Sequence, residues 1–151
     1  MLKRDYEGQV CSIARALEVV GDRWTLLVIR DVALGKRRFE QLLTSLGVAS
    51  NVLTDRLQRL VAEGILERVQ YSERPARFEY RLTAKGRELR IPLLALMQWG
   101  DRYISEKPPR IARRRSDRSP VGVRLVAGDG SIVRPDELEV VPGPGAPSRS
   151  S

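Results

Sequence analysis

The sequence predicts a mainly α-helical domain with one small β-hairpin, an α+β class, followed by a short C-terminal β-hairpin appendage. Three observations carry that expectation. Apolar residues recur at helical spacing in five stretches between residues 11 and 105, residues 77–82 alternate with period two behind a proline turn, and glycines fall just past several helical stretches. The elements then follow in the order helix, helix, short extended piece, helix, turn, helix, hairpin, helix.

Each element has a local reason. Residues 11–20 put Ile13, Leu17 and Val20 on one side of a helix that Gly21 stops. Asp22 is the expected cap of the next helix, 23–34, which turns Trp24, Leu27 or Val28, and Val32 inward before Gly35 closes it. Lys36, Arg37 and Arg38 make a short extended piece. Residues 39–46 form a short amphipathic helix, Gly47, Val48 and Ala49 a tight connection, and Ser50 caps a helix over 51–63 that Gly64 ends. Two helices joined by three or four residues including a glycine is the helix-turn-helix pattern. Residues 65–71 and 77–82 pair as a hairpin around Pro75, with Phe78, Tyr80 and Leu82 on one face. Thr83 caps a last helix, 84–105, carrying Leu89, Leu93, Leu96, Met97, Gly100 and Ile104, which Pro92 should kink or break.

The first domain therefore spans 8–105. A basic linker follows at 106–120, then a small β-rich appendage at 121–142 with strands expected at 121–126, 131–133 and 138–141. Residues 143–151 read as a disordered tail. About 20 residues bury too little surface to fold alone, so the appendage must dock on the first domain or stay mobile.

Composition excludes several function classes. The chain of 151 residues has 27 Lys and Arg against 19 Asp and Glu, net +8, one cysteine and no histidine. Without histidine there is no ordinary zinc or haem constellation and no histidine general base, so neither an enzyme, a metal nor a cofactor is expected. Apolar runs of four or five residues fall far short of the roughly 20 that span a bilayer, and the start lacks the apolar stretch of a secretory signal. Lone Cys11 forms no internal disulfide, as expected of a cytoplasmic protein. The charge is uneven: residues 1–35 are neutral, 36–105 carry net +5 and 106–151 net +3. Excess cations favour polyanions through counterion release.

A helix-turn-helix followed at once by a two-stranded wing is a known DNA-docking geometry. On a helical wheel of 51–63, Leu53, Leu57 and Leu60 share the inward face with Val61 beside them. Opposite them cluster Asn51, Asp55, Gln58 and Ala62, with Thr54 and Arg59 at the edges. Amides can bond adenine bidentately, arginine guanine, and the threonine methyl can meet a thymine methyl. Asp55 has three readings: accepting from a cytosine amine, orienting Arg59, or pairing with an arginine elsewhere. Arg74 and Arg77 flank Pro75 at the wing, able to reach the minor groove or its phosphates, or else to pair with Glu73 and Glu79. Lys36, Arg37 and Arg38 are expected to meet the DNA backbone at the other edge. Cys11 opens a helix, where unpaired N–H groups and the macrodipole favour a thiolate; the plainer reading is a small packing residue.

Six stretches carry a family resemblance: Cys11-Ser-Ile-Ala-Arg-Ala-Leu17, Gly21-Asp-Arg-Trp-Thr-Leu-Leu27, Arg37-Arg-Phe-Glu-Gln-Leu42, Asn51-Val-Leu-Thr-Asp-Arg-Leu57, Tyr71-Ser-Glu-Arg-Pro75 and Glu79-Tyr-Arg-Leu-Thr-Ala-Lys-Gly86. Together they closely resemble the HxlR-type winged helix-turn-helix transcription regulators, relatives of the MarR-like group, over about residues 8–105. The resemblance implies a dimeric DNA-binding repressor or activator whose recognition helix enters the major groove through Ser50, Asn51, Thr54, Asp55, Gln58 and Arg59. It also implies a wing acting through Arg74 and Arg77 and dimerisation through the N- and C-terminal helices, here Leu17, Leu89, Leu93, Leu96, Met97, Gly100 and Ile104. Some members sense electrophiles or oxidants through an N-terminal cysteine, which matches Cys11.

The sequence thus points to a cytoplasmic, nucleoid-acting homodimer that binds double-stranded DNA at a pseudo-palindromic operator. The effector is unknown. Two other readings remain: a thiol sensor switched at Cys11, and a winged-helix module that binds protein or RNA.

Overall fold

The computed structural model describes Tyr6 and residues 8–147. The chain divides into two compact units, Met1–Leu93 and Leu94–Ser151. The first contains helices α1 (Ser12–Val20), α2 (Thr25–Ala33), α3 (Phe39–Leu46) and α4 (Ser50–Ala62), the antiparallel hairpin of β1 (Leu66–Glu73) and β2 (Ala76–Leu82), and α5 (Ala84–Glu88). Helix α6 (Arg90–Tyr103) begins there and continues into the second unit.

One core organises the first unit. Val28, Ile29 and Val32 of α2 meet Leu42 and Leu46 of α3, Leu53, Leu57 and Leu60 of α4, and Ile65, Leu66 and Leu82 at the base of the hairpin. Leu89 and Leu93 pack against it. The spacing of α4's leucines dictates that its opposite face stays in water, which is what a helix offering side chains to a ligand needs.

The α3–α4 connection is set by Gly47, which ends α3 at φ +64, a left-handed conformation in which a Cβ is strained. Gln41 Oε1 accepts from the Arg37 and Arg38 N–H groups at 3.1 Å each, tying down the start of α3. Lys85 Nζ donates to the Glu63 carbonyl at 2.6 Å, a cation on the negative end of α4. Gly86 packs so closely that a Cβ there would stand 2.1 Å from the Ile65 carbonyl oxygen.

Several local expectations change. Asp22 does not cap α2: Trp24 occupies that position at φ +79 without a side-chain cap, and the Asp22 carboxylate goes to Arg59 instead. Ser50 is the first residue of α4 rather than its cap; Ala49 precedes it, and the Ser50 carbonyl accepts from Thr54 Oγ1 at 2.8 Å. Thr83 does cap α5, accepting from the Gly86 N–H at 3.1 Å. The last helix breaks at Leu89, one turn before Pro92. Proline has no N–H for the Glu88 carbonyl and its ring crowds that group, so the interruption falls upstream and Pro92 sits in the first turn of α6, where no donor is needed.

The second unit holds the rest of α6 and two short strands, β3 (Leu125–Val126) and β4 (Ile132–Val133), followed by a 3-10 turn, Pro135–Glu137. Only Leu125 and Val126 of the strand expected at 121–126 pair, and 138–141 form no strand. The basic segment folds back on itself, with Arg113 bridging Pro120 and the Val121 N–H donating to the Ala112 carbonyl at 2.9 Å. Gln98 of α6 clamps this segment at both backbone groups of Val123, donating to its carbonyl at 3.3 Å and accepting from its N–H at 2.8 Å. Of the tail, Gly143 and Ala146 close a turn, while residues 148–151 lie outside the described residues.

Candidate nucleic-acid interface

The exposed face of α4 is formed by the residues its periodicity indicates. Ser50, Asn51, Thr54, Asp55, Gln58, Arg59 and Ala62 are all exposed, while Leu53, Leu57 and Leu60 are buried behind them. Asn51 and Gln58 leave their amides open to a ligand.

The charged members of this face are committed differently. Asp55 forms an ion pair with its neighbour Arg56 and stays exposed. Arg56 Nε also donates to the Arg23 carbonyl at 3.0 Å. Arg59 pairs with Asp22 of the same loop. That loop between α1 and α2 therefore grips α4 at two points. Its Trp24 is held in the left-handed region, uncommon for a large residue, and the Arg23 guanidinium stands 5.5 Å from the Trp24 ring centre. Sequence reading missed Arg56 as a brace, because its partner is 33 residues away.

At the wing, Arg74 and Arg77 are exposed and take part in no ion pair among the described residues. Glu79 pairs with Arg81, not with Arg77. Both tip arginines thus stay exposed to solvent. The segment 36–38 runs along the other edge of β2: the Tyr80 N–H donates to the Arg37 carbonyl at 2.7 Å, and the Arg38 guanidinium stacks over Tyr71 at 4.8 Å from the ring centre. Arg37 and Arg38 are exposed. Lys36 is half-buried, its Nζ 3.9 Å from the buried Asp31, whose Oδ1 also accepts from Arg30 Nε at 2.8 Å.

Cys11 is exposed at the N-cap of α1, and the backbone N–H groups of Ala14 and then Ile13 hold its thiol below the ordinary value. Of the expected dimer residues, Leu89 and Leu93 serve the chain's own core and Met97 lines a small groove of the second unit. Leu17, Leu96 and Ile104 are exposed, as are Ile91, Trp99 and Tyr103 of α6. Among the described residues no cluster of acidic or cysteine side chains could hold a metal, and no helix is long and apolar enough to cross a membrane.

Comparison with known proteins agrees with this geometry. The HxlR-like helix-turn-helix family model matches residues 19–108. An uncharacterized HTH-type transcriptional regulator of Mycobacterium tuberculosis strain H37Rv, Rv3095, is 42% identical over 147 residues, covering 95% of this chain and 92% of the relative. The crystal structure of PA1607, a transcription-factor candidate, superposes with a TM-score of 0.77 at 38% identity over 89% of this chain and 96% of that one. The redox regulator HypR in its oxidized form aligns with a TM-score of 0.58 at 30% identity over 63% of this chain and 99% of that one. The chain belongs to the HxlR-like helix-turn-helix family and is a transcriptional regulator of the helix-turn-helix type.

Proposed function

We propose that the protein binds double-stranded DNA as a homodimer at a pseudo-palindromic operator in the cytoplasm. In this reading α4 is the recognition helix in the major groove and the wing tip contacts the minor groove or its phosphates. The observation that carries it is the pairing of an exposed polar face, Asn51, Thr54 and Gln58, with a hairpin whose tip arginines have no acidic partner among the described residues. One small module buries limited surface on DNA, and two recognition helices about 34–36 Å apart read a two-fold site. Exposed Ile91, Leu96, Trp99 and Tyr103 on α6 and Ile104 just past its end, with Ile13 and Leu17 on α1, supply apolar surface for a second copy.

Selection of bound duplexes from a random pool tests this. Gln58→Ala is expected to relax the preference at particular base pairs by about 1–3 kcal/mol, and Arg74→Ala to weaken all duplexes and flatten the salt dependence by about one contact. Equal binding of matched RNA and DNA, or a lone subunit at working concentration, would sink the proposal.

A second reading is favoured by the lowered thiol at Cys11 and by similarity to a redox regulator. Alkylation of the Cys11 thiolate by an electrophile then releases the operator. Cys11→Ser is expected to bind DNA normally and to ignore the reagent; a variant that still responds removes the sensor role.

A further inference from the structure

The inner face of the hairpin holds a cation that sequence reading passed over. Along that face the register pairs Leu66 with Leu82, then Arg68 with Tyr80, then Gln70 with Phe78. The first pair is buried in the core, so the next two extend the same face outward toward the tip. Arg68 and Tyr80 form one wall of a cleft of about 490 Å³, whose other walls include Phe39, Thr54, Gln58 and Ala62. Three residues of the exposed face of α4, Thr54, Gln58 and Ala62, therefore open onto the same hollow as Arg68.

Among the described residues, Arg68 is the one charged side chain lining that cleft. Its guanidinium carbon lies 3.6 Å from the centre of the Phe78 ring, a cation–π contact that restrains the side chain, and its N–H groups make no hydrogen bond among the described residues. It takes part in no ion pair among the described residues. A preset, uncompensated guanidinium beside an apolar floor, next to a helix that offers amides, is complementary to a phosphate of a duplex whose bases face that helix.

We infer that Arg68 is a DNA-phosphate-binding residue, stacked on Phe78 and seated between α4 and the wing. The inference rests on the DNA-binding reading above and adds to it a backbone contact distinct from the wing tip. Phe78 is a positioning residue: it acts through Arg68, reducing the rotamer freedom lost on binding.

The test is a salt titration of duplex binding by full-length wild type, Arg68→Gln, Arg68→Lys and Phe78→Leu, with thermal unfolding midpoints as a folding check. Arg68→Gln is expected to bind about tenfold more weakly at fixed salt, with a slope of log affinity against log salt shallower by about one. Arg68→Lys and Phe78→Leu keep the charge, so each should retain the wild-type slope while binding a few-fold more weakly; a purely structural role predicts no such split. If wild type binds duplexes with a steep slope and Arg68→Gln matches it in affinity and slope, the Arg68 assignment is overturned and the DNA-binding reading stands. A wild type indifferent to duplexes at all salt concentrations overturns both.

Discussion

In the first unit eleven apolar side chains from three helices and the hairpin are buried against one another. Across residues 94–147 of the second unit no described residue is buried. That half is held instead by polar closures: Gln98 on both backbone groups of Val123, Asp117 accepting from the Ser119 N–H and hydroxyl at 3.0 and 2.7 Å, and Asp129 doing the same at Ser131 at 2.9 and 2.6 Å. The difference shows where cooperative stability can reside. Apolar burial is collective and roughly proportional to area, whereas each exposed hydrogen bond exchanges one partner for water and contributes about 0.5–1.5 kcal/mol. The unit that carries α4 and the wing is the one with the rigid foundation.

The largest test of this contrast is Leu57→Ala. It empties a site at the centre of the core and is expected to lower unfolding free energy by about 2–5 kcal/mol, read from the urea midpoint. A loss below about 1 kcal/mol would break the claim that this core holds the unit together. Gln98→Ala comes next. Both bonds to Val123 disappear, so hydrogen exchange at the Val123 amide should accelerate about five- to tenfold while the urea midpoint of the first unit stays in place. A shift as large as that of Leu57→Ala would mean the two units unfold as one.

Asp22→Asn sharpens the comparison within the first unit. Its pair with Arg59 is solvent-exposed, so stability should change by no more than about 1 kcal/mol. Freeing Arg59 is expected to raise duplex affinity and steepen its salt dependence, which a filter-binding titration measures. Unchanged DNA binding would show that Asp22 does not restrain Arg59.

The smallest effect is acid opening of the second unit's turns. Hydrogen bonds from Ser119, side chain first and then backbone, hold the Asp117 carboxyl below the ordinary carboxylate range, and Ser131 does the same to Asp129. A folded pKa below the unfolded one gives stability that is fully present above the unfolded value near 4 and is lost as pH falls through the folded value. NMR titration of the Ser119 and Ser131 amides should therefore show midpoints below about 4, with the amides of Leu53 and Leu57 unmoved.

Much of the first unit was legible because its signals are local. The leucines of α4, the glycine after α3 and the alternation of residues 77–82 each encode an element within a few positions of sequence. Capping was less legible: Asp22 and Ser50 have the right chemistry for caps, but backbone geometry put Trp24 and Ala49 there. The proposed site divides in the same way. The exposed amides of α4 and the arginines around Pro75 could be read directly, whereas Arg68 lay hidden in a strand whose facing direction is fixed only by its pairing register with Tyr80 and Phe78.

By itself the sequence determined the order of helices and hairpin, the buried side of α4 and the excess of cations, since each follows from periodicity, turn chemistry or counting. Only the tertiary structure decided which charge meets which: Asp22 with Arg59, Arg56 with the Arg23 carbonyl, Lys36 with Asp31, Gln98 with Val123. Many partners of nearly equal energy are open to a long polar side chain, and spatial proximity set by the packed core chooses among them.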